Sequence, residues 1–261
     1  MPADPGTYGF ASILHRDPGC SGWLEARGAV RDNEGMKLHY VPALIFILAF
    51  VGVAVSLMLS RAFDLVPHCR VFVDGCISIS AAGRREPAVF VFRGTIIPAG
   101  VVLVLTWWLN VQWLKLLSAG GRVPARSLHL LGTLSPVLLI AYIALVGSAG
   151  EIDHAIRQAV ISTYFPATLV AKIILAIALL KLQPAGLPRW LPWLMLTIAV
   201  VVLGLAVNSV VVSAFMDDPS VVHNLTQWHG TFAFAAWYLL LAYAWRQTGF
   251  DLPVQHRSSG V

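Results

Sequence analysis

The sequence has little charge. Only 12% of its residues are charged, roughly half the share found in a soluble globular domain. Hydrophobic residues make up 57%, and mean hydropathy is +0.74. So few charges cannot cover a soluble body of this composition, so lipid is expected to be the solvent for much of the chain. Short catalytic signatures are missing too. Without Gly-x-Ser-x-Gly, Gly-x-Gly-x-x-Gly, a P-loop or Cys-x-x-Cys, hydrolase-elbow, nucleotide and dithiol readings have no sequence support. There is no His-x-x-x-His pair, so a zinc site would need His154 plus a carboxylate such as Asp153 or Asp217; no metal or other cofactor is expected. The formal charge is +5, but no basic patch is interleaved with aromatics, which argues against nucleic acid as a partner.

What is present is a series of long apolar segments, at about 40–59, 95–117, 128–147, 160–182, 191–215 and 225–245. Each approaches or exceeds the roughly 20 residues that a helix needs to cross hydrocarbon. The expected fold is therefore all-α: a polytopic membrane bundle of six transmembrane helices over residues 36–246. The first segment is too long for the apolar part of a signal peptide, and no small-residue cleavage site follows it. Residues 1–35 are polar, rich in Gly, Pro, Asp and Arg, and read as a disordered extension. Met36 leads directly into the first segment, so the extension is either a misassigned start or a genuine cytoplasmic tail. Residues 247–261 form a second tail.

Eleven of the eighteen basic residues fall on the side of the two tails and the second and fourth connections; six fall on the other, and Lys172 lies inside a segment. The positive-inside rule then places both termini in the cytoplasm of a multi-pass protein of the plasma membrane or an endomembrane.

This topology puts the longest polar interval, residues 61–93, on the outer face, with five basic residues and two of the three cysteines. In an oxidising compartment Cys69 and Cys76 are either a small disulfide loop or two free thiols. The sequon at Asn224 abuts the last segment and is read as chance. Arg84 and Arg85 are adjacent, and a guanidinium chelates phosphate through two hydrogen bonds, which suits lipid head groups. Acidic outer connections at 150–154 and 216–223 add Glu151 and His154 to the same face. His229, with Asn208 and Ser209 at a similar depth, outlines a candidate outer pocket. Lys172 is expected to snorkel to the cytoplasmic head groups, with Asn110 and Gln112 at the inner end of their helix. Trp107, Trp108, Trp113, Trp190, Trp193, Trp228 and Trp245 lie mostly near segment ends, as an interfacial belt predicts.

Three short runs point to a family. Ile77-Ser-Ile-Ser80-Ala-Ala-Gly83 is followed by Pro87, Phe90 and Phe92; Asp153-His154 by Ala159 and Phe165; and Gln227-Trp228 opens the last segment. Together they resemble the Frag/DRAM/Sfk group of membrane proteins, across about residues 37–245. The resemblance implies six helices with cytoplasmic ends and a setting in the lipid remodelling of GPI anchors. Ala81 and Ala82 stand where members usually have acidic or polar residues, and Gln227 where they have a carboxylate.

The expected function is an auxiliary, non-enzymatic one. The outer face, lined by Ser78, Ser80, Gly83, Arg84, Arg85, Glu151, His154 and His229, would engage membrane lipids or lipid-anchored partners of the GPI type. The alternative is a membrane-embedded lipid hydrolase or acyl-ester enzyme with His154 or His229 as general base. A small-solute transporter is a further alternative, disfavoured by the lack of repeat symmetry.

Overall fold

In a computed structural model of the chain, residues 37–119, 121–147 and 151–250 are described, the stretch 151–154 by its backbone alone. The readings of 1–35 as an extension and of 247–261 as a tail lie wholly or mostly outside the described residues. The described chain is helical: α1 (Tyr40–Ala62), α2 (Val71–Asp74), α3 (Ile79–Ala82), α4 (Ala88–Leu117), α5 (Ala125–Leu145), α6 (Glu151–Leu182), α7 (Trp190–Ser213) and α8 (Ser220–Gln247). No strand forms among the described residues.

Five helices are long and apolar enough to cross a membrane: α1, α4, α5, residues 155–182 of α6, and α7. The chain is thus a helical bundle of multi-pass membrane type. α8 has 28 residues but falls short on apolarity: His223, Asn224, Gln227 and His229 occupy its first turns, and tryptophans, tyrosines, Arg246 and Gln247 dilute the rest. The polar start of α8 is where the 61–93 interval docks.

The long helices are arranged as a ring. Each of α1, α4, α5, α6 and α7 packs on the next long helix in the chain, and α8 closes back on α1. One core runs through this ring, with Ile45 of α1, Trp107 and Trp113 of α4, Leu128 of α5, Leu175 and Leu179 of α6, Met195 of α7 and Trp237 and Trp245 of α8. Prolines sit inside α4 (Pro98), α5 (Pro136) and α6 (Pro166) without ending them. Neighbouring helices can re-satisfy the freed backbone groups in a membrane bundle.

The tryptophan belt needs correction. Trp107, Trp113, Trp228 and Trp245 are buried, and only Trp108, Trp190 and Trp193 face outward. Three of the buried indoles, with Trp237, use their N–H groups as ties between elements. Trp237 donates to Met195 O at 3.0 Å, Trp245 to Asn110 Oδ1 at 3.2 Å, and Trp113 to Thr248 Oγ1 at 3.0 Å. Trp228 makes a fourth tie, to the 61–93 interval. Asn110 is accordingly a core acceptor between α4 and α8 rather than a group at the membrane surface.

Lys172 also departs from expectation. It does not snorkel: its side chain is 1% exposed, and its ammonium donates to Phe234 O on α8 at 2.6 Å. The Phe234 ring lies 3.3 Å from Nζ, with Tyr238 at 4.4 Å and Trp237 at 4.9 Å. The amine is thus enclosed by the aromatic faces of α8 and held by one backbone carbonyl.

Candidate functional site

The 61–93 interval folds into a cap over one end of the ring. Its centre is apolar: Val66, Val71, Ile77 and Ala82 form a small core with Trp228 of α8. Phe72 stacks edge-on against Trp228, with ring centroids 5.4 Å apart, and against His229 at 5.5 Å. Two side chains of α8 latch the cap from below. Asn224 Nδ2 donates to Gly75 O at 2.8 Å, and Trp228 Nε1 donates to Ile77 O at 2.8 Å. Gly75 has φ +58° and lies so close to α8 that a Cβ there would sit 2.7 Å from Val221 O. Both the left-handed conformation and the close approach require glycine.

From the other side, α1 holds the cap through two buried serines. Ser60 Oγ donates to Ala82 O at 2.7 Å, and Ser56 Oγ to Ala88 O at 3.3 Å. Arg61 donates to Cys69 O. Cys69 and Cys76 are joined as a disulfide, their Cα atoms 6.6 Å apart. Within that loop the Arg70 backbone N–H reaches Asp74 Oδ2 at 2.8 Å, and its guanidinium reaches Oδ1 at 3.3 Å. The backbone hydrogen bond, seconded by the guanidinium, holds the Asp74 carboxyl below its ordinary value.

The motif residues lie on α3 and its exit. Ser78 is the N-cap: its backbone is extended and its Oγ accepts from Ala81 N at 3.1 Å, which satisfies a backbone donor that a helix start leaves free. Ser80 Oγ is 3.2 Å from Ser78 Oγ. Gly83 is buried under Phe92, where a Cβ would lie 2.4 Å from the ring. This glycine lets the start of α4 pack flush against the motif. Beyond it, Arg84, Arg85 and Glu86 project outward and are exposed. Arg84 reaches Ser80 Oγ and Arg85 reaches Leu65 O, each at 3.5 Å, at the long limit for a hydrogen bond. Among the described residues no salt bridge ties either guanidinium. Phe90, 63% exposed, stands beside them on α4.

The sequence-selected residues thus divide into three groups. Ser78, Ser80, Gly83, Arg84 and Arg85 come together on the cap. His229 is exposed on α8 beside the same cap, its Nδ1 3.0 Å from Leu225 O. The side chains of Glu151 and His154 lie outside the described residues, although α6 begins at Glu151. The expected pocket of His229 with Asn208 and Ser209 does not form as a bonded unit. No hydrogen bond joins them, Asn208 faces outward, and Ser209 is buried. Among the described residues no three His, Cys, Asp or Glu side chains gather as metal ligands do.

Sequence reasoning missed the latch. Asn224 read as a sequon and Trp228 as a belt residue, yet both hold the cap. Their signal was a pair of hydrogen-bonding side chains four residues apart, on one face of a helix start. Arg93 was likewise counted only as loop charge; it ties α4 to the end of α5 by donating to Ala144 O at 3.0 Å and to Val146 O. Compared with known proteins, the chain matches no family model, no curated protein and no solved structure.

Proposed function

We propose that the chain is a six-span membrane protein with cytoplasmic termini that engages lipid, or a lipid-modified partner, through its cap. The observation that carries this reading is the Arg84–Arg85 pair. Two adjacent guanidiniums stand exposed on a latched, disulfide-bearing surface, held only by long contacts at 3.5 Å. Exposed Phe90 lies beside them at the start of a membrane-length helix. Paired forks of this kind fit phosphate oxygens, and an aromatic at the same level fits the head-group boundary. The closing position of α8, between α7 and α1, supports its role as the sixth span despite its polar first turns. The charge asymmetry supports the orientation, and the motif runs at 77–92, 153–165 and 227–228 support the Frag/DRAM/Sfk reading. The role is auxiliary in lipid remodelling or organisation, in the plasma membrane or an endomembrane.

The test is native mass spectrometry of the detergent-purified protein beside an Arg84→Ala/Arg85→Ala variant. A phospholipid that co-purifies with the wild type and is lost from the variant is the expected result. Identical lipid content in both would overturn the reading. The hydrolase alternative has one observation in its favour. With Nδ1–H donating to Leu225 O, His229 keeps Nε2 as a free acceptor beside the cap, the arrangement a general base needs. Ester turnover by purified protein, abolished in His229→Ala with an unchanged melting temperature, is its signature.

A further inference from the structure

At the end of the ring away from the cap, a groove of about 310 Å³ opens between the α4–α5 connection and the last turns of α6. Its floor is a stripe of α6, namely Ile174, Ile177 and Ala178, and Val123 forms the facing wall. Positions 174, 177, 178 and 181 share one helix face, so Lys181 stands directly above this stripe. Arg122 closes the groove opposite it. Both cations are exposed, and neither has a hydrogen bond or ion pair with the described chain. No acidic residue lines the groove. From Lys181 down to Ile174 the stripe descends roughly 10 Å along the helix at 1.5 Å per residue.

We infer that this groove is a binding site for an anionic glycerophospholipid, with Arg122 and Lys181 on its phosphate and the α6 stripe under an acyl chain. Two features single out this occupant. Two exposed cations with no carboxylate lining the groove make a net positive site that favours an anion, and a guanidinium beside an ammonium suits phosphate oxygens. The apolar trough below the charges has the orientation of a lipid, head group at the interface and chain toward the bilayer centre. Free phosphate would use the charges and leave the trough empty. A second groove, between the end of α6 and the start of α7, is lined by Arg189 with Leu179, Leu187 and Trp193 and again by no acid. The site at this end of the bundle stands independently of what the cap binds.

The test uses the full chain in detergent, titrated with phosphatidylglycerol or with phosphatidylcholine of the same chains, and read by native mass spectrometry. Phosphatidylglycerol should bind wild type preferentially, and Arg122→Gln/Lys181→Gln should weaken it about tenfold, as loss of charged hydrogen bonds implies. Both side chains are exposed, so the variant should melt with the wild type. Ile177→Trp, which blocks the trough and keeps both charges, should weaken the same adduct. Arg84→Gln/Arg85→Gln should leave it intact, which separates failure here from failure of the cap reading. Equal binding of the two lipids, an unchanged affinity in Arg122→Gln/Lys181→Gln, or full displacement by millimolar inorganic phosphate would each overturn the inference.

Discussion

Trp228 donates its indole N–H to the carbonyl of Ile77, 151 residues earlier in the chain, at 2.8 Å. This bond joins the last helix to the centre of the cap, and both partners are buried. Trp228→Phe keeps much of the ring packing against Phe72 but leaves the Ile77 carbonyl without its donor. A buried acceptor abandoned in this way costs about 1–3 kcal/mol. The variant should melt lower in detergent, and protease should cut the 63–87 region sooner than in wild type. An unchanged melting temperature and cleavage rate would show that the cap is held without this bond.

The same bond shows why the chain was only partly legible in sequence. Apolar length and the scarcity of charge sufficed for α1, α4, α5, α6 and α7, because crossing hydrocarbon constrains composition directly. Hydropathy, however, reports the membrane-crossing part of a helix and not the helix itself. α6 therefore starts nine residues before its apolar run, across Glu151, Asp153 and Arg157. Which way a side chain faces is harder still: when a helix is apolar nearly all round, sequence position does not separate the buried Trp107 from the exposed Trp108. The latch was legible only as two hydrogen-bonding side chains on one helix face, and its partners were not. Asn224 and Trp228 acquire their meaning from carbonyls of Gly75 and Ile77, and backbone carbonyls carry no sequence signature. At the cap, Ser78, Ser80, Gly83, Arg84 and Arg85 fall within eight positions of one another, so their proximity in the fold follows from the sequence alone.

The disulfide makes a chemical prediction. In the purified, denatured but unreduced protein, a maleimide should label neither Cys69 nor Cys76, and after reduction it should label both. Cys20 serves as an internal comparison. Closing so short a loop constrains the unfolded chain modestly, by about 2–3 kcal/mol on the chain-entropy account. Cys69→Ser/Cys76→Ser should accordingly lower the melting temperature while leaving the helix content measured by circular dichroism unchanged. Labelling of either cysteine before reduction would contradict the bond.

Two carboxylates set an acid limit on the connections at the cap end of the ring. Asp74, bonded by the Arg70 backbone N–H, and Asp218, bonded by the Ser220 backbone N–H, are both held below their ordinary value of 3.8. A carboxyl with a depressed folded pKa stabilises the fold above its unfolded pKa, and that contribution fades as pH falls through the folded one. Stability should therefore be level in these two groups above about pH 4 and decline below it. Asp74→Asn removes one of the two, so its melting temperature should fall less steeply between pH 4 and pH 2 than that of wild type. Parallel pH profiles for the two proteins would show that the Arg70–Asp74 contacts do not persist in solution.

Lys172 separates a structural cation from a functional one. Its ammonium bonds Phe234 O and faces three aromatic rings, but that carbonyl belongs to the interior of α8, where it also serves the helix. Replacing the lysine with methionine therefore strands no buried partner and fills nearly the same volume. Hydrophobic replacement of a buried charge is commonly neutral or stabilising, so Lys172→Met should melt within a few degrees of wild type or above it. Lys172→Ala instead opens a cavity among Phe234, Trp237 and Tyr238 and should cost about 2–4 kcal/mol, as large-to-small core changes do. If the lipid retention proposed for the cap survives in Lys172→Met, the amine in the ring only packs. If the variant folds and retention is lost, the ammonium is coupled to the cap along α8, whose first turns carry the latch and whose middle carries the cage.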